Sequence, residues 1–234
     1  MSGKLYIVST PIGNLEDITL RALRVLREVD LIAAEDTRHT RQLLTHFDIH
    51  AKLESFHIFN EHERAAALAQ RVASGLNVAL VSDAGTPSVA DPGFLLVREA
   101  RNCGVEPVII PGVSAVTFAV TASGLPVDRF SFCNFAPVKP GKRRKFFEGI
   151  RDAGETCFFF ESPYRVGKAL ADLAEVVGAE AEVALVREAT KIHEEVLRGS
   201  AAELAALKRE WKGEFVIGVH PPEKKIDTGD GEEL

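Results

Sequence analysis

The chain has little cysteine and no motif that would hold a metal. Its three cysteines, Cys103, Cys133 and Cys157, are odd in number, far apart and set among apolar or strand-like neighbours. That excludes a disulfide-stapled secreted scaffold and leads us to expect buried thiols in a reducing cytoplasm. No Cys or His pair has ligand spacing. His57 and His62 stand five apart, which suits neither helix face, and His193-Glu194 begins a zincin-like string that fails at Leu197. A P-loop around Gly141-Lys142 would need Gly at 136 and Ser or Thr at 143, where this chain has Ala136 and Arg143. Gly112-Val113-Ser114-Ala115-Val116 ends in Val where a nucleophile elbow needs Gly, and no G-x-G-x-x-G fingerprint occurs.

Long hydrophobic runs are absent too. The first apolar segment, Leu5 to Val8, is cut short by Pro11 and Gly13, which does not make a signal peptide. From Pro107 to Val127 there is no charge, and the length approaches a bilayer span. Pro111, Gly112, Gly124 and Pro126 interrupt it, however, and Ser114, Thr117, Thr121 and Ser123 recur through it, so no membrane span is expected. The stretch reads instead as a strand at Val108 to Ile110, a turn, and a small-residue helix from Ser114 to Ser123 buried between layers. A net charge of −6 argues against a protein that coats nucleic acid non-specifically, while leaving room for a local basic patch.

What is present is a soluble globular composition, 46% hydrophobic and 26% charged over 234 residues, enough for two domains. The most informative stretch is VALVSDAGTPSVADPG, Val78 to Gly93. An apolar run of this kind suits a strand covered on both faces, and it stops at Ser82-Asp83 before a loop rich in Gly and Pro. Leu5 to Val8 runs into Ser9-Thr10-Pro11-Ile12-Gly13-Asn14 in the same way. In parallel sheets ligands bind beyond such strand ends, so the two junctions imply one shared cleft.

Strands are expected at Leu31 to Ala34 and Val108 to Ile110 as well, with helices at Ile18 to Val29, around Leu43-Leu44, and at His62 to Ser74 and Phe94 to Asn102. The alternation predicts α/β architecture with a mainly parallel N-terminal sheet. Beyond it, Phe130 to Phe135, Cys157 to Glu161, Ala181 to Val186, Val196 to Gly199 and Phe215 to Val219 read as strands, with clear helices only at Tyr164 to Val177 and Ala201 to Glu210. Adjacent strands with no helix between them predict a mixed C-terminal sheet. The expected division is residues 1–112, an N-terminal α/β domain, 113–220, a C-terminal α/β domain, and 221–234, a disordered tail.

Without a nucleophile or metal, a cleft of backbone donors and acceptors with the carboxylate of Asp83 favours a cofactor that carries its own reactive group. Lys139, Lys142, Arg143, Arg144 and Lys145, in a Pro/Gly loop followed by Phe146-Phe147, read either as a phosphate-tracking surface or as a solvated charge run.

STPIGNLEDIT (Ser9 to Thr19), AEDTRHTRQLL (Ala34 to Leu44), SDAGTPSVADPG (Ser82 to Gly93), PGVSA (Pro111 to Ala115), ESPYR (Glu161 to Arg165) and REATKIHEE (Arg187 to Glu195) follow one another in an order and spacing that resemble the ribosomal RNA small subunit methyltransferase I group. That group is one of the tetrapyrrole methylase-like, class III S-adenosylmethionine-dependent methyltransferases. The resemblance implies two α/β domains with S-adenosylmethionine between them, a cytoplasmic homodimer, and 2′-O-methylation of a cytidine ribose in the decoding region of 16S rRNA in the small ribosomal subunit. It also implies cofactor contacts from Pro11, Ile12 and Gly13, from Asp83, Ala84, Gly85 and Thr86, and from Ser114, Ala115, Phe160 and Ala189. Position 59 is Phe where the group usually has His. Many members also continue into a small helical domain beyond the point where this chain ends at Leu234.

Catalysis of that kind needs in-line alignment and a proton acceptor for the 2′-hydroxyl. The candidates are Asp36 with Arg38, and Glu161, with Arg38 and Arg165 holding flanking phosphates. No metal is expected. Alternatives are methylation of a tetrapyrrole or other small molecule on the same fold, and a non-catalytic RNA-binding factor that keeps a relic pocket.

Overall fold

Alternation hidden inside the apolar runs sorts their side chains onto the two faces of a sheet. The structure, a computed structural model, describes residues 2–223. It divides into two compact units: the described residues up to Phe118 with Glu188–Glu194, and Ala119–Arg187 with the described residues from Glu195 on. Of the expected tail, residues 224–234 lie outside the described residues, and 221–223 have no regular structure.

The first unit runs β1 (Leu5–Val8), α1 (Leu20–Glu28), β2 (Leu31–Ala34), α2 (Thr37–His46), β3 (Leu53–Ser55), α3 (Glu61–Ala73), β4 (Val78–Val81), α4 (Phe94–Asn102) and β5 (Val108–Ile110). Its strands pair in parallel in the order β3-β2-β4-β1-β5. Leu5, Ile7, Leu31, Ala33, Val78 and Leu80 pack with residues of α3 and α4, whereas Val8, Ile32, Ala34, Ala79, Val81 and Ile110 pack with α1 and α2. Successive residues thus face opposite helical layers, which is why no polar residue interrupts β1, β2 or β4. The connection leaving β1 runs toward β2 and the connection leaving β4 toward β5, in opposite directions, so the carboxyl ends of these neighbours form the switch point where α/β sheets bind ligands.

The chain passes into the second unit within α5 (Ala115–Ser123), and continues through β6 (Phe130–Phe135), α6 (Pro140–Ala153), β7 (Thr156–Glu161), α7 (Val166–Val176), β8 (Glu182–Arg187), β9 (Glu195–Ser200), α8 (Ala201–Ala205) and β10 (Phe215–His220). The sheet order is β6-β7-β10-β8-β9, with β6 parallel to β7 and the other pairs antiparallel. It is mixed, as expected, and Phe147, Phe159, Leu170, Leu173 and Ile217 lie at the centre of its core.

Four expectations need correction. The basic run is not a loop: Pro140 occupies the first turn of α6, where its missing N–H costs nothing, and Phe147 and Ile150 bury one face. Helix α8 ends at Ala205 rather than Glu210, because Arg209 turns back to grip Glu195 on β9 at 2.8 Å and stacks on Trp211. In α5 only Ala119 and Ser123 are buried, so it is not enclosed along its length. Cys103 is exposed; only Cys157 is fully buried, with its thiol pushed up to about 12 chiefly by desolvation. Among the described residues no disulfide forms and no helix is long and apolar enough to cross a membrane.

Candidate active site

Three strand-end loops of the first unit meet at the switch point. Thr10 and Gly85 exchange two backbone hydrogen bonds, 2.9 and 3.0 Å, which join the loop after β1 to the loop after β4. Two side-chain bonds reinforce the join: Ser9 Oγ and Thr86 Oγ1 lie 2.9 Å apart, and Thr10 Oγ1 donates to the Ser82 carbonyl at 3.2 Å. These hydroxyls are on buried or half-buried residues, so their partners are needed to offset desolvation. Gly85 has φ +76°, a left-handed conformation that side chains resist, and a Cβ built there would stand 3.3 Å from Ile12 Cγ2 and 4.0 Å from the Val113 carbonyl. That places Gly85 among all three loops, with Ser114 and Ala115 just beyond Val113.

The segment Glu188–Glu194, between β8 and β9, belongs to this unit and lies on the first loop. Asn14 N donates to Thr190 Oγ1 at 3.1 Å, and a Cβ on Gly13 would come within 2.9 Å of Thr190 Oγ1 and 3.1 Å of the Ala189 carbonyl while colliding with Lys191 Cγ. Of the expected cofactor residues, the structure therefore gathers Pro11, Ile12, Gly13, Asp83, Ala84, Gly85, Thr86, Ser114, Ala115 and Ala189 in one unit. Phe160 lies in the other, on β7, where its ring packs against Phe132 and Phe135.

Carboxylates gather at the neighbouring ends of β2 and β4. Asp83 Oδ1 accepts from Asp36 N at 3.0 Å, and Asp83 N donates to Glu35 Oε2 at 3.3 Å, so Asp83 locks the turn after β2 to its own loop. Asp36 caps α2, accepting from Arg38 N at 2.8 Å, and pairs with the Arg38 guanidinium at 2.7 Å. These bonds hold its carboxyl far below the usual range. An anion so well satisfied is a weak proton acceptor, which argues against Asp36 as a base. Arg38 is the more useful member, with 88% of its side chain exposed, beside Arg41, Gln42, Thr45 and His46 on an open concavity of α2.

Two residues that the sequence did not single out have the opposite tendency. Burial raises Glu35, with the charge of Asp83 adding to it. Asp91 is pushed up to about 6 by desolvation and by the charges of Glu35 and Asp83, against a hydrogen bond from Ser82. A raised carboxyl favours the protonated fold: the stability is present below the ordinary pKa near 4 and is lost as pH rises through about 6. Asp91→Asn should therefore stabilise the protein at pH 7 by about 1 kcal/mol, a full two-unit shift discounted for partial solvation, and should have no effect at pH 4. Thermal melts at the two pH values check this, and an equal effect at both would contradict it.

In the second unit Glu161, at the end of β7, has a fully buried side chain. Its Oε1 accepts from Ser162 N at 2.7 Å and pairs with Arg165 Nη2 at 2.6 Å, while its Oε2 is buried with no partner. Burial pushes its carboxyl up against those contacts. So enclosed, Glu161 acts on Arg165 and not on a substrate atom, a correction to its expected catalytic role. The basic run also divides. Arg143 is 5% exposed, bonded to Asp172 at 2.7 Å and to the Val138 carbonyl at 3.3 Å, so it is a packing residue and not a phosphate contact. Arg144 pairs with Glu175 at 2.7 Å, whereas Lys139, Lys142 and Lys145 are exposed. Among the described residues no group of His, Cys, Asp and Glu could hold a metal ion.

A parallel sheet with interlocked, glycine-bearing strand-end loops, followed by a mixed sheet, defines a two-unit α/β methyltransferase of class III. The chain belongs to the tetrapyrrole (corrin/porphyrin) methylases, whose family profile matches residues 4–205. It is 50% identical, over 92% of its length and 76% of the relative's, to a ribosomal RNA small subunit methyltransferase I of Vibrio cholerae. The protein of the same name from Escherichia coli O157:H7 is 48% identical over 92% of this chain and 77% of that one. Among solved structures, a diphthine synthase superposes with a TM-score of 0.71 at 20% identity, covering 94% of this chain and 90% of that one. The uroporphyrin-III-C-methyltransferase of Thermus thermophilus gives 0.65 at 21%, covering 93% and 94%. At such identity the structural likenesses establish the fold alone.

Proposed function

We propose that this enzyme methylates small-subunit ribosomal RNA, transferring a methyl group from S-adenosylmethionine to the 2′-hydroxyl of a cytidine in the decoding region of 16S rRNA. The relatives near 50% identity are named for ribosomal RNA methylation. The single observation that carries the reading is the Thr10–Gly85 junction, where Gly85 makes a left-handed corner between loops rich in backbone donors and acceptors. Such a cradle suits a ligand with both polar and apolar parts, such as S-adenosylmethionine. When bound, the cofactor supplies an electrophilic sulfonium methyl group.

The protein's own residues then align and deprotonate. Residues 9–14, 82–87, 111–115 and 188–190 hold the ligand, and Arg38 on the exposed end of α2 takes a backbone phosphate of the RNA. The proton acceptor is drawn from Glu35 and Asp91, whose burial raises their basicity toward the working pH. A cytoplasmic homodimer accompanies this reading. A tetrapyrrole substrate is disfavoured by the exposed lysines of α6, which suit an extended polyanion better than a compact macrocycle. Micromolar binding, about 8 kcal/mol, should appear in titration calorimetry and raise the melting temperature. No heat and no thermal shift at millimolar S-adenosylmethionine would refute the cofactor assignment.

A further inference from the structure

The carboxyl ends of β6 and β7, with the turns that follow them, leave large side chains exposed. Tyr164 is 92% exposed, Val138 70% and Phe135 52%. Tyr164 is the third residue of a β-turn closed by Arg165 N donating to the Ser162 carbonyl at 2.9 Å, with Pro163 at the position where a fixed φ favours the turn. The ring is presented at a rigid tip.

Two buried ion pairs fix this surface from below. Arg165, held by Glu161, donates to the Ala136 carbonyl at 3.3 Å, and Arg143, held by Asp172, donates to the Val138 carbonyl at the same distance. Both loops, 136–139 and 162–165, are thereby tied to one platform. Buried pairs of this kind add little net stability over apolar replacements, and fixing geometry is a use that fits them. Lys139 directly precedes α6, and Lys142 and Lys145 follow on its first two turns; all three are exposed, and none has a carboxylate partner among the described residues. The neighbouring arginines are neutralised by Asp172 and Glu175, so the uncompensated charge is concentrated on these lysines.

We infer that this surface binds single-stranded RNA, with a base stacked on Tyr164 and adjacent phosphates on Lys139 and Lys142, and that Glu161 and Arg165 are positioning residues for it. The inference rests on the RNA reading above and assigns the strand a place on the enzyme. An exposed ring at a turn tip offers its face to an unpaired base, whereas duplex RNA keeps its bases stacked inside. Ammonium groups at the start of α6, which follows the loop tied to the Tyr164 turn, supply the salt-dependent attraction to the backbone.

The test uses the full chain, a labelled, unstructured pyrimidine oligoribonucleotide, and methyl transfer to purified small subunits. Tyr164→Ala should weaken oligonucleotide binding about tenfold with the salt dependence unchanged, and raise KM for subunits while leaving kcat in place. Tyr164→Phe should bind as the parent does. Lys139→Ala with Lys142→Ala should flatten the log-log salt slope by about 1.4. Parental affinity in Tyr164→Ala, a Tyr164→Phe variant as weak as Tyr164→Ala, or an equal loss of binding to anionic phospholipid vesicles would overturn the inference while transfer by the parent continues. A parent enzyme that neither binds RNA nor methylates subunits would instead refute the RNA reading itself, and this surface with it.

Discussion

Gly85→Val is expected to abolish S-adenosylmethionine binding, lowering affinity at least a hundredfold, while the protein still folds. The residue's φ of +76° costs a branched side chain about 1–2 kcal/mol of strain. The added Cβ would already stand 3.3 Å from Ile12 Cγ2, so the valine branches must displace Ile12 or enter the space proposed for the ligand. Gly85→Ala separates the two effects, since it carries the strain with one added carbon, and a loss nearer tenfold is expected. Calorimetry with melts of both variants checks the pair. Parental affinity in Gly85→Val would remove this corner from the ligand site.

Arg165→Ala is expected to destabilise the second unit by about 3 kcal/mol at pH 7, because it strands the carboxyl of Glu161, whose second oxygen already lacks a partner. The sign of the pH dependence follows from the raised carboxyl: Glu161 favours the fold when protonated, and that contribution is lost as pH rises. The deficit should therefore shrink toward acid, and Glu161→Gln in the Arg165→Ala background should recover part of it at pH 7. Urea denaturation across pH measures all three. A loss below about 0.5 kcal/mol would mean that the pair is solvated and fixes nothing.

The first sheet was legible because its strands are short apolar runs ended by Gly, Pro and Ser. Val78–Val81 and Val108–Ile110 stand where the sequence put them. β3 was not legible, since Leu53–Ser55 is three half-buried residues at the edge of the sheet. α6 was hidden by Pro140-Gly141, which signals a loop unless the proline falls in a first helical turn. Of the site, the loops at Ser9 to Asn14 and Ser82 to Pro87 could be read because they follow apolar runs directly. The acidic group could not: Glu35 approaches Asp83 and Asp91 only because β2 and β4 are neighbours, and no local pattern specifies strand order. Nor could charge alone separate Arg143 from Lys142, because which of them turns inward depends on helical phase and on Asp172 across the α6–α7 contact.

The central claim concerns which atom receives the methyl group, and it is tested most directly by digesting small-subunit RNA after transfer from labelled S-adenosylmethionine. A 2′-O-methyl group removes the nucleophile that attacks the adjacent phosphate, so the label should survive alkali in a dinucleotide, and mass spectrometry should place it on the ribose of a single cytidine. Label released by alkali as a mononucleotide methylated on its base would contradict the account.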